Sequence, residues 1–330
     1  MKKAIALVSI LAVASGLLSL SPGWADEPLL LRYKFSAGST TIYELTGNGV
    51  IPMTITLPPE TGMKAMPLDT TMDLHLLLQQ VCQSVDDHGA GHVDLSYLLM
   101  MIKTSMQVED KPVDSVVTWE NKELTITLNG QGLPQDENAR KLTKLLASTL
   151  KLIISPLGQT KPDPETAKMM AELFSMSGMG GADFSKLSGL TGGLPDKPVK
   201  SGDTWKLEDT IEMGGAQFKG SSESKLVAVE DYAGLKCAHI EGEARLAATG
   251  KMAGGAPPGL PAQTNITSMD LAVKFTNYFD LRSGQMAATT MNLTENISMV
   301  ISTGGGQGHQ AVQLPATIDN AQMHMEMKRK

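Results

Sequence analysis

The residues with the clearest spacing for chemistry stand at the C-terminus, Met323-His324-Met325-Glu326-Met327. At a two-residue period the three thioethers project from one face of a strand. Soft sulfur ligands suit Cu(I), so this run with His324 admits a copper reading. The same period turns His324 to the opposite face, and a Met face on a strand more often lines a core or pocket. A second cluster is His88 and His92, which bracket Gly89-Ala90-Gly91 with Asp86, Asp87 and Asp94 nearby. A tight hairpin could converge these groups on a divalent metal. The simpler expectation, and the preferred one, is a polar turn whose Asp residues bond local backbone. Met176-Ser177-Gly178-Met179-Gly180 could add sulfur ligands, but reads more simply as a helix end.

Signatures of nucleophilic, zinc-hydrolytic and phosphate chemistry are missing: there is no G-x-S-x-G elbow, no H-E-x-x-H, no P-loop and no dinucleotide glycine fingerprint. Gly304-Gly305-Gly306-Gln307-Gly308-His309 is glycine-rich but lies between strands, and reads as a hairpin loop. No catalytic residue, metal or cofactor is assigned. What remains is an apolar surface. The chain holds 21 Met against 3 Trp, 5 Tyr and 6 Phe. Met is unbranched and polarizable, so a Met-rich face adapts to irregular partners.

The N-terminus reads as a secretory signal peptide over residues 1–25. Lys2-Lys3 supply the charge, Ala4 to Leu20 the apolar core, and Gly23-Trp24-Ala25 the small residues before cleavage. No Cys lies near that point, which argues against a lipid-modified terminus, and no later apolar run is long enough to span a bilayer. The expected location of the mature chain is periplasmic or secreted. Cleavage removes two Lys and no acid, taking the formal charge from −7 to −9. An acidic chain without a basic cluster is a poor partner for nucleic acid or anionic lipid surfaces. Cys82 and Cys237 are the two cysteines. In an oxidising compartment they could form a disulfide worth roughly 4–5 kcal/mol, or remain separate thiols. Sequence leaves both open, because the bridge needs the two Cα atoms close together.

The elements that must carry these residues are mostly strands. Leu271, Val273, Phe275, Phe279 and Leu281 fall on one face, with Lys274, Thr276 and Asp280 opposite. Met291, Leu293, Ile297, Met299 and Ile301 alternate in the same way, as do Ala238, Ile240, Ala244, Leu246 and Ala248. Such alternation describes antiparallel sheet with one buried and one wet face. Some strands look about 14–17 residues long, roughly 45–55 Å, and a sheet of such strands must twist and curl. The consecutive apolar residues Leu99 to Ile102 predict a bulge.

The centre has a helical period. Leu142, Leu145, Leu146, Leu150 and Ile153 predict a helix within Pro134 to Ile154. Asp163 and Pro164 then cap a second helix. Its Met169, Met170, Leu173 and Phe174 form the candidate ligand-binding face, as a lid or as permanent cover. Ser177 to Gly193 is a Gly/Ser-rich connection, with a possible short turn of helix at Asp183 to Leu187. Pro58 to Asp69 and Gly250 to Gln263 read as further loops. Phe35-Ser36-Ala37-Gly38-Ser39-Thr40 is echoed by Val199-Lys200-Ser201-Gly202-Asp203-Thr204, each before a strand with an aromatic residue, Tyr43 or Trp205. This predicts two pseudo-repeats of about six strands each. The expected organisation is a signal peptide (1–25), an N-terminal β half (26–133), a helical segment with linker (134–193) and a C-terminal β half (194–330). The fold class is mainly β: a long curved antiparallel sheet or unclosed half-barrel with two central helices packed on it.

Leu194-Pro195-Asp196-Lys197-Pro198-Val199-Lys200-Ser201-Gly202-Asp203-Thr204-Trp205 resembles a motif of uncharacterised secreted bacterial β-rich families. Leu31 to Gly38 and Tyr278 to Gly284 fit the same families. In architecture alone, the chain is similar to Lol-type periplasmic lipoprotein carriers, which implies a curved, unclosed barrel with a helical lid over an apolar cavity. The expected function is non-enzymatic binding of an apolar or lipid-like ligand. The alternative is a structural or interaction module of the cell envelope with a filled core and a protein partner.

Overall fold

The computed structural model describes residues 27–57, 65–108, 111–176, 193–213, 216–254, 262–303 and 312–330. The signal-peptide segment 1–25, the connection at 177–192 and the glycine-rich run at 304–309 lie outside them. The first half supplies β1 (Thr40–Thr56), β2 (Ala65–Val85), β3 (Gly91–Val108), β4 (Lys111–Glu120), β5 (Glu123–Leu128) and β6 (Gln131–Gly132). The centre supplies α1 (Glu137–Ala147), β7 (Leu150–Ile154), β8 (Thr160–Pro162) and α2 (Pro164–Met176). The second half supplies β9 (Thr204–Met213), β10 (Ala216–Tyr232), β11 (Leu235–Gly254), β12 (Ala262–Asp280), β13 (Gln285–Thr303) and β14 (Val312–Arg329). All strands join one unclosed antiparallel sheet in the order β6-β5-β4-β3-β2-β1-β14-β13-β12-β11-β10-β9, with β7 and β8 branching from β3.

The two-residue period decides which face is buried. One cross-strand row runs through Leu124, Trp119, Met100, Leu76 and Leu45, and continues through Met327, Thr289, Asn277, Ile240 and Leu226. Trp119, Ile240 and Leu226 on this row are fully buried. The face that carries it is the inner face. The opposite face presents Glu241, Arg245 and Lys274 to solvent. Register shifts between Val50 and Met53, Leu226 and Ala228, Thr249 and Met252, and Glu295 and Ile297 bend the sheet. Leu98 is the extra residue between Tyr97 and Leu99 where β2 meets β3, so the expected bulge stands just before Leu99.

The repeat has a structural counterpart. Gly38 (φ 80°) and Gly202 (φ 96°) each sit in the left-handed region that a side chain would strain. Gly38 N–H donates to Cys82 O at 2.7 Å, and Cys82 N–H donates to Ser39 O at 2.9 Å. Gly202 N–H donates to Leu226 O at 2.7 Å, and Leu226 N–H donates to Asp203 O at 3.0 Å. Each turn therefore clips the first strand of its half to the second.

One end of the curled sheet is closed by chain. Residues 29–38 run across it, with Leu29 paired to Val199, Tyr33 N–H on Pro156 O, Lys34 N–H on Gly284 O and Gly38 on Cys82. Arg32 donates to the carbonyls of Pro195 and Asp196, both at 2.6 Å. Beneath this strap Leu31, Leu194, Val199, Leu226, Ala238, Ile240, Phe279 and Met286 form one buried cluster. Tyr33 meets Phe279 edge-on at 5.2 Å.

The first helix is shorter than its period predicts. Asp136 caps α1 by accepting the Ala139 N–H at 2.8 Å. Ala139 and Leu146 pack on Met100, Trp119 and Leu124 of the inner face. The helix stops at Ala147 because Ser148 turns extended, and Leu150 to Ile154 become strand β7. The cause is tertiary. β4 pairs with β3 only from Leu99 onward, so the edge at Gly91 to Leu95 is open and β7 fills it. α2 starts as expected: Asp163 accepts the Thr166 N–H at 2.7 Å and Pro164 opens the helix.

A buried ion pair fastens the C-terminal strand to the closed end. Asp280, 3% exposed, accepts from Arg329 at 2.8 Å and from Ser283 Oγ at 2.6 Å. Burial pushes its carboxyl up, but the bonds from Ser283, Arg329 and the Arg282 N–H outweigh it and hold the group at about 2. Because this pKa lies below the unfolded value, the stabilisation is present above about pH 4 and is lost as pH falls toward 2. Asp280→Asn should therefore cost roughly 2–3 kcal/mol at pH 7 by urea unfolding. Between pH 4 and pH 2 the wild type should lose more stability than the variant; parallel losses would contradict the assignment.

Candidate functional site

The inner face above the closed end is lined by methionine. Register puts Met323 and Met325 between Leu293 and Met291 on β13 and Gly49 and Gly47 on β1, with Met327 facing Thr289 and Leu45. A Cβ at Gly47 would lie 3.0 Å from Met325 Cγ, and one at Gly49 2.8 Å from Gln322 O. These glycines let β14 and its Met side chains lie close against β1. Met53, Met66, Met72, Met106, Met269 and Met299 share this face. All are half-buried, whereas Phe279, Ile240 and Leu226 near the closed end are fully buried. The face therefore grades from a filled base to a partly open, Met-lined trough.

His324 stands on the outer face, as the strand period predicts. Its Nδ1 lies 2.8 Å from Asn292 Oδ1, and its Nε2 lies 3.6 Å from Glu326. It cannot join the three thioethers in one coordination sphere. The His88 turn also takes its simpler form: Asp86 Oδ1 accepts the N–H groups of His88 at 2.9 Å and Ala90 at 2.8 Å. The Ala90 N–H and its companions hold the Asp86 carboxyl below the usual range. Among the described residues no group of three or more His, Cys, Asp or Glu side chains is placed to hold a metal ion.

Met169 and Met170 lie half-buried on α2, which packs against α1, β7 and β8. Leu173 and Phe174 belong to the same helix, but their side chains lie outside the described residues. Cys82 and Cys237 are separate thiols, both fully buried. Their strands, β2 and β11, stand five steps apart in the sheet.

Sequence reasoning passed over two features. Glu295 faces inward between Leu271 and Ala321. Burial raises its pKa. Its signal was positional: 295 is the one charged member of the odd-numbered apolar series on β13. The second feature is a cleft of about 830 Å³ between the β7–β8 hairpin and β9. Its walls include Ile153, Leu157, Lys161, Leu194, Trp205, Leu207 and Glu208. Leu194 N–H donates to Leu157 O at 3.0 Å, and Trp205 Nε1 donates to Gly193 O at 3.2 Å, so the linker forms part of its wall. This cleft depends on β7, a strand hidden under a helical period, and on β8, which follows it.

No family model matches the chain, and no curated protein matches it. Among solved structures, an outer membrane channel from Pseudomonas putida F1 aligns over 94% of this chain and 100% of that one, at 11% identity and a TM-score of 0.24. A likeness of that size carries no argument about fold or function. Among the described residues no helix is long and apolar enough to cross a membrane.

Burial pushes both thiols up, Cys237 to about 11 with the Asp280 carboxylate adding to the shift. In the folded protein at pH 8 neither should react with Ellman's reagent within minutes. In denaturant without reductant, two thiols per chain should appear, and none would mean a disulfide.

Proposed function

We propose that the chain is an extracytoplasmic, non-enzymatic binding protein for an apolar or lipid-like ligand held on the inner face. One observation carries this reading: Met53, Met72, Met291, Met299, Met323 and Met325 lie half-buried on one concave face. A thioether surface that is neither packed solid nor turned to water suits a ligand of variable shape. Glu295 is the one charged group on this row of β13 and would orient a ligand carrying a hydrogen-bond donor. α1 packs on the inner face at β3 and β5, and α2, with Met169 and Met170, packs on α1, β7 and β8. A structural or interaction module of the envelope is the second reading, favoured by the solid cluster under the strap.

Native mass spectrometry of the protein purified from an expressing bacterium tests the two. The binding reading expects a bound apolar species, lost on organic extraction. Met299→Trp, a larger side chain at a half-buried inner-face position, should fill the trough and lower occupancy at least fivefold, with the thermal midpoint recorded as a folding control. A wild-type protein that carries nothing, and takes up neither fatty acid nor phospholipid from vesicles, favours the interaction module.

A further inference from the structure

Glu295 is an ionisable group set into an apolar surface. It is half-buried on the inner face between Leu271 of β12 and Ala321 of β14, with Leu293 and Ile297 on either side along β13. Among the described residues no hydrogen bond or ion pair reaches its carboxylate, and burial alone raises its pKa. The strand period shows how isolated it is. The inner positions of β1 between Leu45 and Ile55, of β2 between Met66 and Leu76 and of β3 between Met100 and Met106 are apolar, Gly or Thr. Those of β10 from Phe218 to Leu226, β11 from Ala238 to Ala248 and β12 from Met269 to Asn277 add Ser and Asn to that set, and no charge. Those of β14 from Ala316 to Met327 are Ala, Ile and Met. Asp209, on the same cross-strand row as Glu295, is exposed and four strands away on β9. Arg329 lies about 26 Å further along β14, where it is bound to Asp280.

A lone carboxylate among apolar side chains is costly, and a partner that both bonds and neutralises it removes the cost. Three kinds of polar head can be compared at this position. An anionic head sets a like charge beside Glu295, and the face offers no cation to answer either one. A hydroxyl donates a hydrogen bond but leaves the charge in place. An ammonium donates and neutralises together, in the stronger, charge-assisted form. The formal charge of the chain, −7, attracts a cation in the same sense. A tail has a seat beside this group. On the next row away from the closed end Phe218, Ala248 and Ile318 are already buried. Toward the closed end Leu293, Met323, Met291 and Met325 are half-buried. They line about 13 Å of strand between Glu295 and the filled base.

We propose that the trough takes an amphiphile whose polar end is a protonated primary amine, received by Glu295, with its alkyl tail laid over Leu293, Met323, Met291 and Met325. This rests on the binding reading above and adds the chemical class of the ligand. It also makes binding depend on pH. The groups that face Glu295 from β12 and β14, Leu271, Val273, Ala321 and Met323, do not titrate. α1 and α2 pack on β3, β5, β7 and β8. The response therefore belongs to Glu295. As pH falls, a carboxyl with a raised pKa takes up its proton before an ordinary carboxylate does, while the amine stays charged. The pair is then lost, and the ligand is held by its tail alone.

Titration calorimetry of the mature chain with dodecylamine, dodecanol and dodecanoate, below their micellar concentrations, tests this. At pH 7.5 the amine should bind roughly tenfold tighter than the alcohol, and dodecanoate more weakly than either. Glu295→Gln keeps the shape of the side chain and breaks no bond within the described residues, so folding is retained. It should weaken the amine roughly tenfold, leave the alcohol unchanged and strengthen dodecanoate. Asp73→Asn removes the same charge from an exposed position on the outer face and should leave all three unchanged. Lowering the pH to 5.5 should weaken amine binding to the wild type and not to Glu295→Gln. Equal binding of the three heads to wild type and Glu295→Gln would overturn the amine and leave a trough that reads only the tail. So would tightest binding of dodecanoate. Equal loss of amine binding in Asp73→Asn and Glu295→Gln would overturn the site in favour of general attraction to an acidic chain. No binding of any of the three would overturn the binding reading itself.

Discussion

The pairing of β1 with β14 is the constraint on which the rest of this structure depends. Each half is a six-strand meander that follows sequence order, and a meander alone has two free edges. β1 and β14 join the halves through Tyr43 to Val50 against Arg329 to Gln322, and again beyond the bulge at Met53. That ladder carries the inner rows from one half to the other without a change of face. It also sets Met323 and Met325 against Gly49 and Gly47, so the junction is where the inner face is lined by sulfur. The Asp280–Arg329 pair fixes the end of the same ladder, since Arg329 is the β14 residue opposite Tyr43.

Curvature follows from the same arrangement. Long strands twist, and a sheet wide enough to hold two meanders must curl. Register shifts at Val50/Met53 and Glu295/Ile297 bend the sheet at and beside the junction, as others do further out. The strap then makes the two ends unequal. Leu31 and Tyr33 fill one end against Phe279 and Ile240, and leave the trough half-buried toward the other. A single strap of chain thus determines where a ligand could lie.

Much of this was legible in the sequence because the physics is local. Alternation at 271–281 and 291–301 identified strands and their buried face directly, and the Gly38 and Gly202 turns marked the start of each half. The strand period also put His324 opposite its Met neighbours, so alternation by itself deprives the copper reading of its nitrogen ligand. β7 was not legible. Leu142, Leu145, Leu146, Leu150 and Ile153 satisfy a helical period over their whole length, and only the open edge of β3 turns the last part into strand. The cleft was hidden for the same reason, as one wall is that strand and its hairpin. Glu295 was legible by the same alternation, which puts it on the face of Leu293 and Ile297; register adds only its cross-strand neighbours, Leu271 and Ala321.

The loss of strand parity at the closed end follows from how the first half was shortened. At the far end the two meanders would present twelve strands, an even set whose outer members, β6 and β9, run in opposite directions. β4, β5 and β6 shrink to ten, six and two residues, and β4 leaves β3 unaccompanied from Gly91 to Leu95. The central segment repairs that gap with two strands in place of three. Two cannot replace three in an alternating sheet without leaving the last edge parallel to the first. A central segment placed only to cover the sheet would not need a hairpin in the sheet plane. Here the hairpin stands in that plane and holds Lys161 across a cleft from Trp205 and Leu207. The parallel run of β8 and β9 is therefore a consequence of the repair itself.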